Sequence, residues 1–179
     1  MHGVQTMTRS QPAVTAAILV VAGGTATILG AYFFQYVMGL APCPLCLEQR
    51  IAYYVSIPLA AAVAIAASRG APRGILAVGL GIIALAMLFN SGLALFHAGI
   101  EWKWWPGPQE CSGQPADLSL SGDLLSDLSK GRISVVRCDE AAWRDPLGLL
   151  SLAGYNVLIS LALAAAAAWG AAAAWRARA

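Results

Sequence analysis

Four stretches without Asp, Glu, Lys or Arg, running from Ser10 to Leu47, Ile51 to Ser68, Gly74 to Ile100 and Pro146 to Trp175, leave this chain few ways to fold. About 20 apolar residues rising ~1.5 Å each suffice to cross the hydrocarbon of a bilayer. Of 179 residues, 59% are hydrophobic and only 11% charged, which lies outside the soluble range. The sequence therefore predicts an all-α integral membrane protein, a four-transmembrane-helix bundle forming a single membrane domain over 1–179. The helices are expected at about 13–36, 48–68, 75–97 and 148–174, with loops on one side at about 37–47 and 98–147. The second span is the shortest, but Arg50 and Arg69 at its ends can snorkel to the two interfaces. Gly70-Ala71-Pro72 makes the tight turn into the third.

The first run is much longer than the apolar region of a signal peptide, and no A-x-A-like site follows it, so it is expected to remain as a span. Leu40-Ala41-Pro42-Cys43 is faintly similar to a lipoprotein cleavage box, but a proline immediately before the cysteine argues against processing. Small residues in the spans, Gly23, Gly24, Gly30, Gly79, Gly81 and the Ala-rich stretch from Ala162 to Ala174, would let helix backbones approach closely.

Orientation rests on Arg9, Arg69, Arg73, Arg176 and Arg178, which lie with no acid in the N-terminus, the short turn and the tail. The other side carries all nine acids and six basic residues. Counted as Lys and Arg alone the sides nearly tie, but the five arginines are concentrated in very short segments, which favours both termini inside. All four cysteines then lie outside, where disulfides persist.

The long loop opens with Glu101-Trp102-Lys103-Trp104-Trp105-Pro106, a cluster suited to the headgroup level. If Asp117 to Lys130 is helical, Leu118, Leu120, Leu124, Leu125 and Leu128 share one arc, so the segment can lie flat on the bilayer or pack against its own loop.

The cysteines fall into two unlike pairs: Cys43-Pro44-Leu45-Cys46 at the edge of a span, and Cys111 with Cys138 in the polar loop. A C-x-x-C tetrad holds two thiols close enough to cycle between dithiol and disulfide, and a helix starting there aims N–H groups at sulfur. Arg50 follows Cys46 by four residues, which on a helix puts guanidinium and sulfur on one face, although an interface anchor or a partner of Glu48 would also be placed there. The motif alone is equally open to half of a metal site or two structural thiols. A zinc site needs four converging ligands, and the C-x-x-C spacing does not recur, while His2 and His97 are the only histidines; no metal is therefore expected. Cysteines held by so short a loop are also poor staples.

Ala41 to Arg50 after one span, a cysteine pair in the loop after the third, and four spans together resemble the DsbB family of bacterial disulfide-forming quinone reductases. P-C-x-x-C with arginine four residues after the second cysteine is the most specific piece. His97 before the loop, Cys138-Asp139-Glu140-Ala141-Ala142-Trp143 and Pro146-Leu147-Gly148 support it. The resemblance implies that Cys111 and Cys138 take electrons from a reduced DsbA-type periplasmic thioredoxin-fold oxidase and pass them to Cys43 and Cys46, which give them to ubiquinone or menaquinone. It further implies that Cys111 forms the mixed disulfide with the partner, that Cys46 is the thiolate facing the quinone, and that Arg50 assists it. His97 is a candidate for quinone contact or proton relay. Joined as a disulfide, Cys111 and Cys138 would close 26 intervening residues and restrict the loop. The protein is thus expected in the bacterial inner membrane with its cysteines periplasmic, its partners being the oxidase, quinone and lipid, with no nucleic acid. Two alternatives stand beside this: a vitamin K epoxide reductase-like enzyme, in which the C-x-x-C normally comes late in the chain, and a non-catalytic scaffold with a stapled loop.

Overall fold

Proline at position 44 sets where the second helix begins, since its fixed φ suits the first helical residue and its missing N–H costs nothing there. The computed structural model describes residues 2–108 and 137–176, with side chains from residue 12 on. Helix α1 covers His2–Tyr32 and continues as one wide π-helical stretch, Phe33–Val37; α2 covers Pro44–Ser68, α3 Arg73–Glu101 and α4 Leu152–Arg176. Each contains a segment long and apolar enough to cross a membrane. The 25 residues of α2 rise ~37 Å, more than the ~30 Å of hydrocarbon. Among the described residues there is no strand, only an isolated bridge between Arg144 and Ser151. The expected all-α architecture with four spans holds.

The helix ends differ from the sequence expectation, each for a local reason. α2 starts at Pro44 rather than 48, because Cys43 is its N-cap in extended backbone (φ −75°, ψ 165°) and its sulfur accepts the Cys46 N–H at 3.3 Å. The C-x-x-C motif, assigned to the loop at 37–47, is therefore the first turn of a helix. α3 continues past 97 to Glu101 and stops where Lys103 takes a positive φ of 62°. α4 starts at Leu152 rather than 148, since the Asp145 carboxylate accepts the N–H groups of Leu149 (2.7 Å) and Leu150 (3.1 Å), holding 145–150 as a turn. Ser151 then caps the helix, its Oγ accepting from Gly154 N at 3.2 Å.

α3 packs most extensively on α4, while α1 lies against α2 and α4. Ala16, Ala17, Ala60, Leu80, Ile83, Met87 and Ala167 are buried between them. A Cβ added to Gly170 would sit 2.5 Å from the Ala16 Cβ, so α1 and α4 meet almost backbone to backbone. Such close fitting holds helices together where lipid is as apolar as the interface. Leu29, Ile75, Leu85 and Phe89 point outward. The loop helix expected over 117–130, and Cys111, lie outside the described residues.

Candidate active site

Cys43 and Cys46 are free thiols whose sulfurs stand 2.8 Å apart, the Cys43 S–H donating to Cys46. That shared hydrogen bond, and after it burial, push the Cys43 thiol well above the ordinary thiol range, so Cys43 holds the proton of the pair. The two sulfurs face different surroundings. Cys43 is buried in a small cluster with Leu45, Ile100 and Cys138, against which Cys46 also packs, but only Cys46 reaches the cavity. Cys46 lines a cavity of about 500 Å³ walled by α1, α2, α4 and the segments before α2 and α4, with His97 of α3 also on its lining. Cys138 is disulfide-bonded, and Cys111, the remaining cysteine of the chain, lies outside the described residues.

The cavity wall is mostly apolar, with Phe34, Leu40, Trp143 and Ile159 among its members. Polar groups reach it at a few points. Arg50 is one, sharing the wall with Cys46 as the four-residue spacing requires. Its Nη1 donates to Gln35 Oε1 at 2.7 Å, and its guanidinium lies 5.5 Å from the Tyr32 ring centre. Gln35 sits in the π-helical stretch that ends α1; such widened turns re-aim side chains and recur at functional sites.

His97, a candidate from the sequence for quinone contact or proton relay, is buried inside the bundle and lies against the dithiol. Its Nε2 is 3.6 Å from Cys43 Sγ and 3.8 Å from Glu101 Oε1, and its Nδ1 is 3.0 Å from the Gln49 side-chain nitrogen. The Cys138 backbone also hydrogen-bonds the ring. Gln49 Oε1 accepts from Asn156 Nδ2 at 2.6 Å, Asn156 Oδ1 accepts from Tyr53 Oη at 2.6 Å, and Ser160 Oγ accepts from Asn90 Nδ2 at 2.9 Å beside Tyr53. Every link is uncharged and paired, which makes a buried chain of this kind affordable and rigid. Glu101 differs: it is buried and bonded to Ser151, yet its Oε2 has no partner.

A surface latch holds Cys138 over this site. Lys103 Nζ donates to the Asp139 carbonyl (2.7 Å) and carboxylate (2.9 Å), while Arg137 forks onto both carboxylate oxygens at 2.9 and 2.7 Å. Arg137 first, and Lys103 with it, keep the Asp139 carboxyl well below the usual carboxylate range. Trp105 folds back over Gly99, stacks on Phe96 and donates its indole N–H to the Phe96 carbonyl at 2.9 Å, while Trp102 and Trp104 remain exposed.

Gln35, Tyr53, Gln49 and Asn156 were not picked out from the sequence, and Glu101, placed there in a headgroup-level cluster, is instead buried beside His97. The available signal was uncharged polar side chains inside spans, where each is costly unless partnered.

A dithiol at the N-terminus of one of four helices long and apolar enough to cross a membrane, with one sulfur on a cavity wall and the other packed in a cluster with a loop cysteine, defines a multi-pass membrane protein with a thiol–disulfide centre. The family model for disulfide bond formation protein DsbB matches residues 13–170, and the chain belongs to the DsbB family. A relative, disulfide bond formation protein B of Polaromonas sp. (strain JS666 / ATCC BAA-500), is 34% identical over 70 residues, which cover 39% of this chain and 39% of that protein. No solved structure matches. The family resemblance drawn from the sequence is thereby established.

Proposed function

We propose that this protein is a quinone-dependent oxidase of a DsbA-type periplasmic dithiol protein, seated in the bacterial inner membrane with both termini cytoplasmic. The observation that carries this reading is the divided setting of the membrane pair, Cys43 beside Cys138 and Cys46 on the cavity wall. The loop disulfide takes two electrons and two protons from the reduced partner through a mixed disulfide on Cys111, and becomes a dithiol. The Cys138 thiolate then attacks Cys43 of the membrane disulfide. Cys46 leaves as a thiolate at the N-terminus of α2, beside the Arg50 guanidinium. The Cys111 thiolate then attacks Cys138, which re-forms the loop disulfide and releases Cys43, so the two electrons rest on the Cys43–Cys46 dithiol. His97 Nε2–H stands where it can donate to a Cys43 thiolate and so stabilise its negative charge.

The cavity suits a quinone headgroup: its volume is within the ~300–1,000 Å³ of small-molecule sites, its walls are apolar, and Arg50, Gln35 and Asn156 supply polar contacts. A bound quinone would accept two electrons and two protons, returning Cys43 and Cys46 to the disulfide. Arg50 stabilises negative charge beside these apolar walls.

The test is oxidation of a reduced thioredoxin-fold partner by the purified protein in lipid, with and without ubiquinone or menaquinone. Turnover should require quinone and vanish in Cys46→Ala. Partner oxidation that proceeds equally without quinone under anaerobic conditions would refute the reading.

A further inference from the structure

We infer that the reduced membrane pair, together with His97, is a binding site for a thiophilic divalent cation of the zinc type, and that occupancy blocks reoxidation of the pair. Cys43 Sγ, Cys46 Sγ and a His97 ring nitrogen all lie within 4.8 Å of one another. A tetrahedral zinc with Zn–S ~2.3 Å and Zn–N ~2.0–2.1 Å sets its ligand atoms roughly 3.5–3.8 Å apart. The 3.6 Å from Cys43 Sγ to His97 Nε2 already meets this. The 2.8 Å between the sulfurs must open by about 1 Å for such a site, a side-chain rotation in the first turn of α2.

Charge favours the complex. Two thiolates and one divalent cation sum to zero, so the filled site is far cheaper to bury than bare thiolates. Glu101, with its unpartnered Oε2 and its other oxygen 3.8 Å from the ligating nitrogen, adds a further carboxylate oxygen on that side. Three protein ligands leave the fourth position for water, and the two thiols give up their protons on binding. In the disulfide state neither sulfur is a thiolate, so the site exists only in the reduced protein.

Ligation through Nε2 requires the ring proton on Nδ1, facing Gln49. The Gln49 amide can turn its oxygen to that proton, because each member of the chain through Asn156, Tyr53 and Ser160 can both donate and accept. Gln49 thus acts as the positioning residue behind the ligand histidine, and a carboxylate there should serve better.

The inference rests on the dithiol geometry and not on the electron acceptor, so its test contains neither quinone nor partner. Full-length protein with Cys111→Ser and Cys138→Ser, which leaves only the membrane pair, is reduced anaerobically and titrated with Co²⁺, then Zn²⁺. The expected result is one cobalt per chain with thiolate-to-cobalt charge-transfer absorption, displaced by zinc and absent from the oxidised protein. His97→Ala should weaken binding, and Gln49→Glu should tighten it about tenfold, the low end for a partner behind a metal ligand. Absence of the charge-transfer band, or zinc affinity unaltered in both variants, would overturn the inference.

Discussion

Gln49 sets the tautomer of His97 in the metal-free site: with its amide nitrogen 3.0 Å from Nδ1, that nitrogen accepts and the ring proton resides on Nε2 beside Cys43. The orientation of the amide is in turn set by Asn156, which donates to Gln49 Oε1. A residue on α4 thus decides, through one on α2, which nitrogen of a histidine on α3 carries the ring proton. Replacing Gln49 with Leu keeps the volume but strands Asn156 Nδ2 and His97 Nδ1 in a buried site. Each stranded group costs about 1–3 kcal/mol, so Gln49→Leu should unfold at lower temperature or denaturant concentration, and reoxidation of its membrane pair should slow. An unfolding midpoint equal to that of the parent would mean that the chain is not closed as described.

Arg50 touches the membrane site alone. Its substitution by Ala removes a charge-assisted hydrogen bond to Gln35 and the cation on the wall shared with Cys46. Such bonds contribute about 1.5–3 kcal/mol, so quinone reduction should fall by about tenfold or more, while thiol exchange between the loop pair and a protein partner continues. Arg50→Lys should recover only part, because an ammonium cannot reproduce the planar fork that meets Gln35 and lies over Tyr32. Equal quinone kinetics in all three proteins would reduce Arg50 to an interface anchor.

How much of this was legible in the sequence depends on the kind of residue. The spans were readable because a charge in hydrocarbon is so costly that its absence over long runs is itself a signal. Cys46 and Arg50 were readable because four residues make one helical turn. Gln35, Asn90 and Asn156 were not, since they carry no charge and lie within runs counted as apolar, and Gln49 was hidden between Glu48 and Arg50; a search for amides within spans would have raised them. The start of α2 was missed by giving Pro44 to a loop, although proline at the first helical position is a start signal. The nearness of Cys138 to Cys43 had no signal in spacing, for it depends on residues 137–140 folding back onto α3 through Lys103 and Asp139.

That latch has a pH signature of its own. The Asp139 carboxyl is lowered below its unfolded value of ~3.9, so the stability it contributes is fully present above that value and is lost as pH falls through the lower folded one. Between pH 5 and 8 the latch should not respond to pH, whereas Asp139→Asn should loosen it throughout. Hydrogen exchange at 138–143 is the measurement, with faster exchange expected in the variant and in high salt. The salt effect should be moderate, since the Lys103 partner is largely exposed. Exchange in the parent that quickens between pH 7 and 5, after correction for the intrinsic rate, would assign the hold on Cys138 to another group.

The two cysteine pairs should have separable jobs. Cys46 lines a largely apolar cavity, whereas Cys111 and Cys138 belong to the polar segment between the third and fourth spans. Protein with Cys111→Ser and Cys138→Ser should still carry electrons from a small dithiol to quinone but fail with a folded partner. Protein with Cys43→Ser and Cys46→Ser should exchange once with the partner and stop, giving one equivalent of oxidised partner per chain whether or not quinone is present. Cys138→Ser alone should accumulate a mixed disulfide on Cys111, because the thiol that would displace the partner is gone. The buried position of Cys43 sharpens the expectation: at 4% exposure it is closed to a folded protein yet packed in one cluster with Cys138. Full partner turnover by the double loop variant would therefore mean that the membrane pair opens to direct attack, and the relay through Cys138 would have to be given up.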